Sequence, residues 1–168
     1  TRNMQAQQLN ALQKLAYELL SSGNQIRASR ILEIMREITR SSQVAVYRAN
    51  PQAPSMEYLS SIGETAWLPE KLQASEISRL PKNYLWQPGK RIRSAIHRLG
   101  RTAQLTYIGS AIIGDDKSIS GLLVTADASA PPADDLMESM EFAATLLSIA
   151  LQQEAILGSL QAEKVIRE

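Results

Sequence analysis

Residues 107–152, YIGSAIIGDDKSISGLLVTADASAPPADDLMESMEFAATLLSIALQ, decide the fold. The apolar run that reaches its first arm begins at Leu105 and ends at Gly114; the second runs from Ile119 to Ala128. Between them stand the turn residues Asp115, Asp116, Lys117 and Ser118, so the segment predicts a hairpin. Ile112, Ile113, Leu122, Leu123 and Val124 make both arms nearly continuous in apolar character, which implies central strands covered on both faces. Pro131-Pro132-Ala133-Asp134-Asp135 then restarts the chain as a helix, with Asp135 and Glu138 at capping-box spacing. From Leu136 to Glu168 nothing demands a stop, and Gly158 only weakens the helix.

Upstream, Lys90 to about Thr102 has helical spacing, with Ile92, Ala95, Ile96 and Leu99 apolar and Gly89 and Gly100 at its borders. Residues 63–89 read as an irregular connection that contains Pro69, Pro81 and Pro88; a connection of this length usually binds something or acts as a lid. Val44, Val46 and Tyr47 belong to a short strand ending at Asn50-Pro51, and MEYLSSIG returns as its partner, so residues 43–62 form a first hairpin. Two amphipathic helices precede it. Leu9, Leu12, Leu15, Ala16, Leu19 and Leu20 mark one, and Ile26, Ala28, Ile31, Leu32, Met35 and Ile38 the other, with Gly23 and Asn24 between them as cap residues. Strands grouped in hairpins with helices at both ends predict an α+β fold: a central antiparallel sheet covered by terminal helices.

The totals exclude several chemistries. Eighteen lysines and arginines stand against 17 acidic residues, a formal charge of +1, which speaks against an electrostatic nucleic-acid binder. The chain has no cysteine, so thiol nucleophiles, disulfides, iron–sulfur clusters and a covalently attached bilin have no attachment point in it. A single histidine cannot build a zinc site, and no metal site is expected. No apolar run reaches the roughly 18 residues of a membrane span, and the start is no signal peptide, in keeping with a cytoplasmic protein. The sequence opens at Thr1 and closes within helical spacing at Glu168, as a segment of a longer protein would.

This pattern resembles a GAF domain, the small-molecule sensor module of signalling proteins. The likeness is most specific in residues 107–152, where Gly121-Leu122-Leu123 stands in place of the family's usual Gly-Val-Leu and Asp134-Asp135-Leu136 opens the last helix. It extends forward through residues 9–50, which look like the family's opening helices and first strand. The resemblance implies a central antiparallel sheet, with N- and C-terminal helices packed on one face in a GAF/PAS-like manner. It also implies a ligand pocket on the other face, roofed by residues 63–104, and a regulatory rather than an enzymatic role in a protein such as a histidine kinase.

The candidate site is WQPGKRIRSAIHRLGRT, residues 86–102. Lys90, Arg91 and Arg93 crowd the expected first turn of its helix, where free backbone N–H groups already favour an anion. The Asn-Lys…Phe…Asp-Glu signature of cyclic-nucleotide-binding GAF domains is missing. His97 lacks the acidic neighbour and following proline of a phospho-acceptor segment; it reads as an ordinary helix residue, with haem ligation as a minor option. Trp67, Tyr84, Trp86 and Tyr107 are large flat side chains with one polar handle, suited either to line a pocket or to fill it. No set of residues assembles a catalytic centre.

Leu12 and Leu19 in the first helix, with Ile149, Gln153, Ile156 and Leu160 in the last, make a short coiled-coil seam that needs a second copy of the chain. The expected division is residues 1–24 as a dimer-contact helix, 25–152 as the sensor domain, and 153–168 as the start of a coiled-coil linker to an output domain. The function expected is small-molecule sensing and dimerisation; the alternative is a ligand-free dimerisation module whose pocket is filled by its own side chains.

Overall fold

The two apolar runs around residues 107–127 form the middle of a six-stranded antiparallel sheet. A computed structural model describes residues 24–49, 55–114 and 119–149. In chain order the elements are α1 (Asn24–Thr39), β1 (Gln43–Ala49), β2 (Ser55–Ile62), β3 (Lys71–Gln73), α2 (Ala74–Ser78), β4 (Asn83–Trp86), α3 (Ala95–Thr102), β5 (Tyr107–Gly114) and β6 (Ile119–Asp127). Helical backbone over 136–149 completes them as α4.

The strand order is β3-β2-β1-β6-β5-β4, so β6 and its neighbours β1 and β5 lie inside the sheet. That position explains their composition: inner strands bury both faces, and β6 is buried from Gly121 to Asp127. Gly121 is required at the β1–β6 seam, where a Cβ would lie 2.2 Å from the carbonyl oxygen of Tyr47.

Alternation along these strands divides the molecule into two cores. Val44, Val46, Tyr107, Ala111, Ile113 and Leu123 point to one face, where they meet Leu32 and Met35 of α1 and Leu136, Met140, Ala143 and Leu147 of α4. Both helices therefore lie on one face, in the expected α+β arrangement. Ala45, Tyr47, Ile108, Leu122, Val124 and Ala126 point to the other face, which is covered by side chains from residues 67–105. Arg40 closes the end of the helix layer by bonding Asp135 at the start of α4 (2.5 Å), so that carboxylate is engaged across the fold.

Two expectations are corrected. Residues 63–89 are not an irregular connection throughout: β3 pairs with Ser55–Glu57 of β2, α2 follows it directly, and β4 pairs with Ile108–Ala111 of β5. Strands of three and four residues separated by prolines are too short to show a period, and as edge strands they tolerate those prolines nearby. The helix expected from Lys90 starts five residues later, at Ala95. Gly89, at φ +97°, turns the chain, and Ser94 caps α3 by accepting the Ile96 N–H at 3.3 Å. Lys90, Arg91 and Arg93 thus precede the helix rather than occupying its first turn.

Candidate functional site

The cover over the second core is built from short pieces, and each sequence-predicted residue has a defined place in it or apart from it. Trp67 is half-buried and donates its indole N–H to Gln43 Oε1 at 2.7 Å. Tyr84 and Trp86 lie two apart on β4, so both face the second core; the Tyr84 hydroxyl donates to the Arg91 carbonyl at 2.8 Å. Trp86 is almost wholly buried, at 1% exposure. Tyr107 stands on the opposite side of the sheet, among the helices, where its hydroxyl bonds Ser41 Oγ at 2.7 Å. It is therefore separated from the other aromatics by the sheet itself. Of the seam residues, Ile149 is exposed in the last described turn of α4; Leu12, Leu19, Gln153, Ile156 and Leu160 fall outside the described residues.

His97 sits on the inner side of α3 at 0% exposure. Its ring is near-parallel to Trp86, with centroids 6.0 Å apart, and tilted against Tyr84 at 5.2 Å. Nδ1 accepts the Arg93 backbone N–H at 3.0 Å, which leaves Nε2 as the protonated nitrogen of the neutral imidazole. Burial, with a contribution from the Arg93 charge and a smaller opposing one from Glu76, pushes its pKa down to about 4. Nε2 is buried without a hydrogen-bond partner among the described residues. Hemmed in by Trp86 and Tyr84, that nitrogen has no open side for a porphyrin, and the residues present do not fit a haem.

Beside α3 the cover opens. A cleft of about 360 Å³ is lined by Glu76 of α2, Arg79 just beyond it, Arg91, Ile92, Arg93 and Ser94 of the approach to α3, and Arg98 on α3. The Glu76 carboxylate accepts the Ala95 N–H at 2.6 Å through Oε2, while Oε1 lies 3.7 Å from Arg98 Nη2. An acidic group of the chain itself thus occupies the N-terminus of α3, where the sequence points to a ligand anion. Arg93 places its guanidinium over the Tyr84 ring, 5.3 Å from the centroid. Arg91 and Arg93 were visible as a cluster in the sequence. Glu76 and Arg79 were not, because α2 and the turn after it have no clear period; Arg98 stands on α3, within the same stretch as the cluster. Lys90 is exposed and does not line the cleft.

Among the described residues no group of three or more His, Asp or Glu side chains is placed to hold a metal ion. Nor is any described helix long and apolar enough to cross a membrane.

No protein-family model matches the chain, and no curated protein matches it. Solved structures do. The chain is similar to the chromophore-binding domain of Stigmatella aurantiaca bacteriophytochrome, in a mutant form in the Pr state, with a TM-score of 0.65 at 13% identity. That match covers 89% of this chain and 60% of the other. The chromophore-binding domain of an unusual bacteriophytochrome from R. palustris matches at a TM-score of 0.63 and 14% identity, over 92% of this chain and 62% of that one. Wild-type phytochrome P1 of S. aurantiaca gives 0.59 at 15% identity, over 84% and 58%. The chain thus spans about three-fifths of each of these domains, and at such identities the likeness is one of fold, supporting the GAF-like architecture.

Proposed function

We propose that this chain is a regulatory, non-catalytic sensory module of a cytoplasmic signal-transduction protein of the histidine-kinase type. In this reading a small molecule bound under the residue 63–104 cover biases a dimeric helical layer. The observation that carries the reading is the cleft in the cover, which abuts the cap of α3 and, through Arg93, the buried His97. A ligand there contacts a part of the cover that is lined by charged side chains and not sealed by apolar packing. The fold shared with domains named for chromophore binding supports a sensory role. His97 supports a non-catalytic one, since its Nδ1 is engaged by the main chain and its ring is buried.

A covalently attached bilin has no thiol to hold it within this sequence, which lacks cysteine. Tyr47, Leu72, Ile77, Trp86, Ile96 and Leu122, at 0–4% exposure, fill the second face of the sheet with the chain's own side chains. That same packing favours a second reading, a dimerisation module with a self-filled pocket. Exposed Ile149 on α4 is consistent with a helical partner in either case.

Two measurements separate the readings. Melting curves with nucleotides, organic acids, biliverdin and haem should show a shift for a small polar compound and none for the two pigments; silence throughout selects the dimerisation module. Removing residues 153–168 should lower the mass measured by light scattering from dimer towards monomer, and an unchanged mass sinks the seam.

A further inference from the structure

We infer that the cleft beside α3 binds a small, multiply charged oxyanion, borne by a phosphate or a polycarboxylate compound. The inference rests on the sensory reading and names the chemistry of its ligand.

Arg79, Arg91, Arg93 and Arg98 all line about 360 Å³ of space, and Glu76 is the single carboxylate on its wall, so four positive charges meet one negative, a formal +3. Among the described residues Arg79 and Arg91 make no ion pair, and Arg98 stands 3.7 Å from Glu76, too far for a strong hydrogen bond. Arg79, Arg91 and Arg98 are exposed, so water screens much of their mutual repulsion, but a bound anion still offsets the clustered charge, and guanidinium forks match the paired oxygens of phosphate and carboxylate groups.

Arg93 Nε is buried and has no hydrogen-bond partner among the described residues, so contacts to a ligand fall to the terminal guanidinium nitrogens of the cleft arginines. The backbone of α3 does not supply the site: Glu76 holds the Ala95 N–H and Ser94 holds that of Ile96. The ligand is therefore gripped by side chains. Ile92 is the only apolar residue on the lining, which suits a compact polar anion and not a flat apolar one.

Isothermal titration of the protein at low ionic strength with inorganic pyrophosphate and, separately, with citrate tests this. Saturable binding of one per chain is expected for at least one of them. Arg79→Ala with Arg91→Ala should weaken it tenfold or more, whereas Lys71→Ala with Lys82→Ala, which removes equal charge outside the cleft, should change it less than twofold. Glu76→Gln should tighten it several-fold by removing the competing carboxylate. Preference for pyrophosphate assigns a phosphate ligand, and preference for citrate a polycarboxylate. Binding of neither anion, or equal binding by the Arg79/Arg91 variant with its circular-dichroism spectrum intact, overturns the inference but leaves the sensory reading standing on its metabolite screen. Binding without any change in the mass measured by light scattering retains the site and counts against the sensory reading.

Discussion

The two faces of one sheet satisfy their polar groups differently. On the helix face buried hydroxyls are paired: Tyr107 with Ser41, Thr39 with the Met35 carbonyl at 2.8 Å, and Thr125 with Met140 Sδ at 3.3 Å. The buried side-chain polar atoms without partners among the described residues are Trp86 Nε1, Arg93 Nε, His97 Nε2 and Ser110 Oγ. All four belong to the second face or its cover; Ser110 does so because it shares the parity of Ile108 and Ile112 on β5. Unpaired buried donors cost stability, and proteins concentrate such costs where function requires them. The helix face thus pairs its buried hydroxyls internally, and the opposite face keeps four buried polar atoms without partners among the described residues.

Leu122 and Leu123 make this comparison directly. They are adjacent on β6, both 0% exposed, and point into opposite cores. Leu→Ala costs a few kcal/mol, and the amount depends on how far the surroundings can collapse into the cavity. Leu123 is held under α1 and α4, whereas Leu122 lies under short segments joined by turns. Leu123→Ala should therefore cost about 4 kcal/mol and Leu122→Ala nearer about 2 kcal/mol in urea unfolding. Equal costs, or the reverse order, would break the distinction between helix face and cover.

Acid should act on the cover next. His97 titrates near 6.5 in the unfolded chain and near 4 in the fold, so between those values the unfolded state binds more protons. Its contribution is fully present above about pH 6.5 and fades as pH falls through 4. At about 1.4 kcal/mol per pKa unit, it amounts to about 3.5 kcal/mol at most. Wild type should lose more stability between pH 7 and 4 than His97→Phe, which keeps a ring beside Trp86 and Tyr84 but cannot titrate. Parallel pH profiles for the two proteins would show that His97 does not set this slope.

How much of this was legible follows from element length. The β5–β6 hairpin and the start of α4 could be read because runs of eight or nine residues express their pattern and end in turn or cap residues. β3, α2 and β4 could not, being three to five residues long, and with them went Glu76 and Arg79. Arg91 and Arg93 were found as a cluster, yet their position before α3 was not, because Ile92 mimics helical spacing with Ile96. Ser94 was the missed signal, a capping residue directly before Ala95 and Ile96. Tyr107 was grouped with Trp86 through proximity in sequence, although β4 and β5 set them on opposite faces. Strand parity separates the two once β4 is known to pair with β5.

The smallest effect gives the finest test of the two faces. Tyr107→Phe removes a hydroxyl that bonds Ser41 inside the helix core and leaves that serine without this partner. A net loss of about 1 kcal/mol is expected, the usual worth of such a bond. Ser110→Ala removes a buried hydroxyl with no partner among the described residues. Nothing favourable is lost with it, while the unfolded state gives up a hydrated polar group, so stability should hold or rise by up to about 1 kcal/mol. The two substitutions sit three residues apart on one strand and each deletes one oxygen. Opposite signs in paired urea titrations would show that β5 separates a satisfied face from an unsatisfied one; a matching loss at Ser110 would mean that its hydroxyl is bonded in solution and that the second face is as complete as the first.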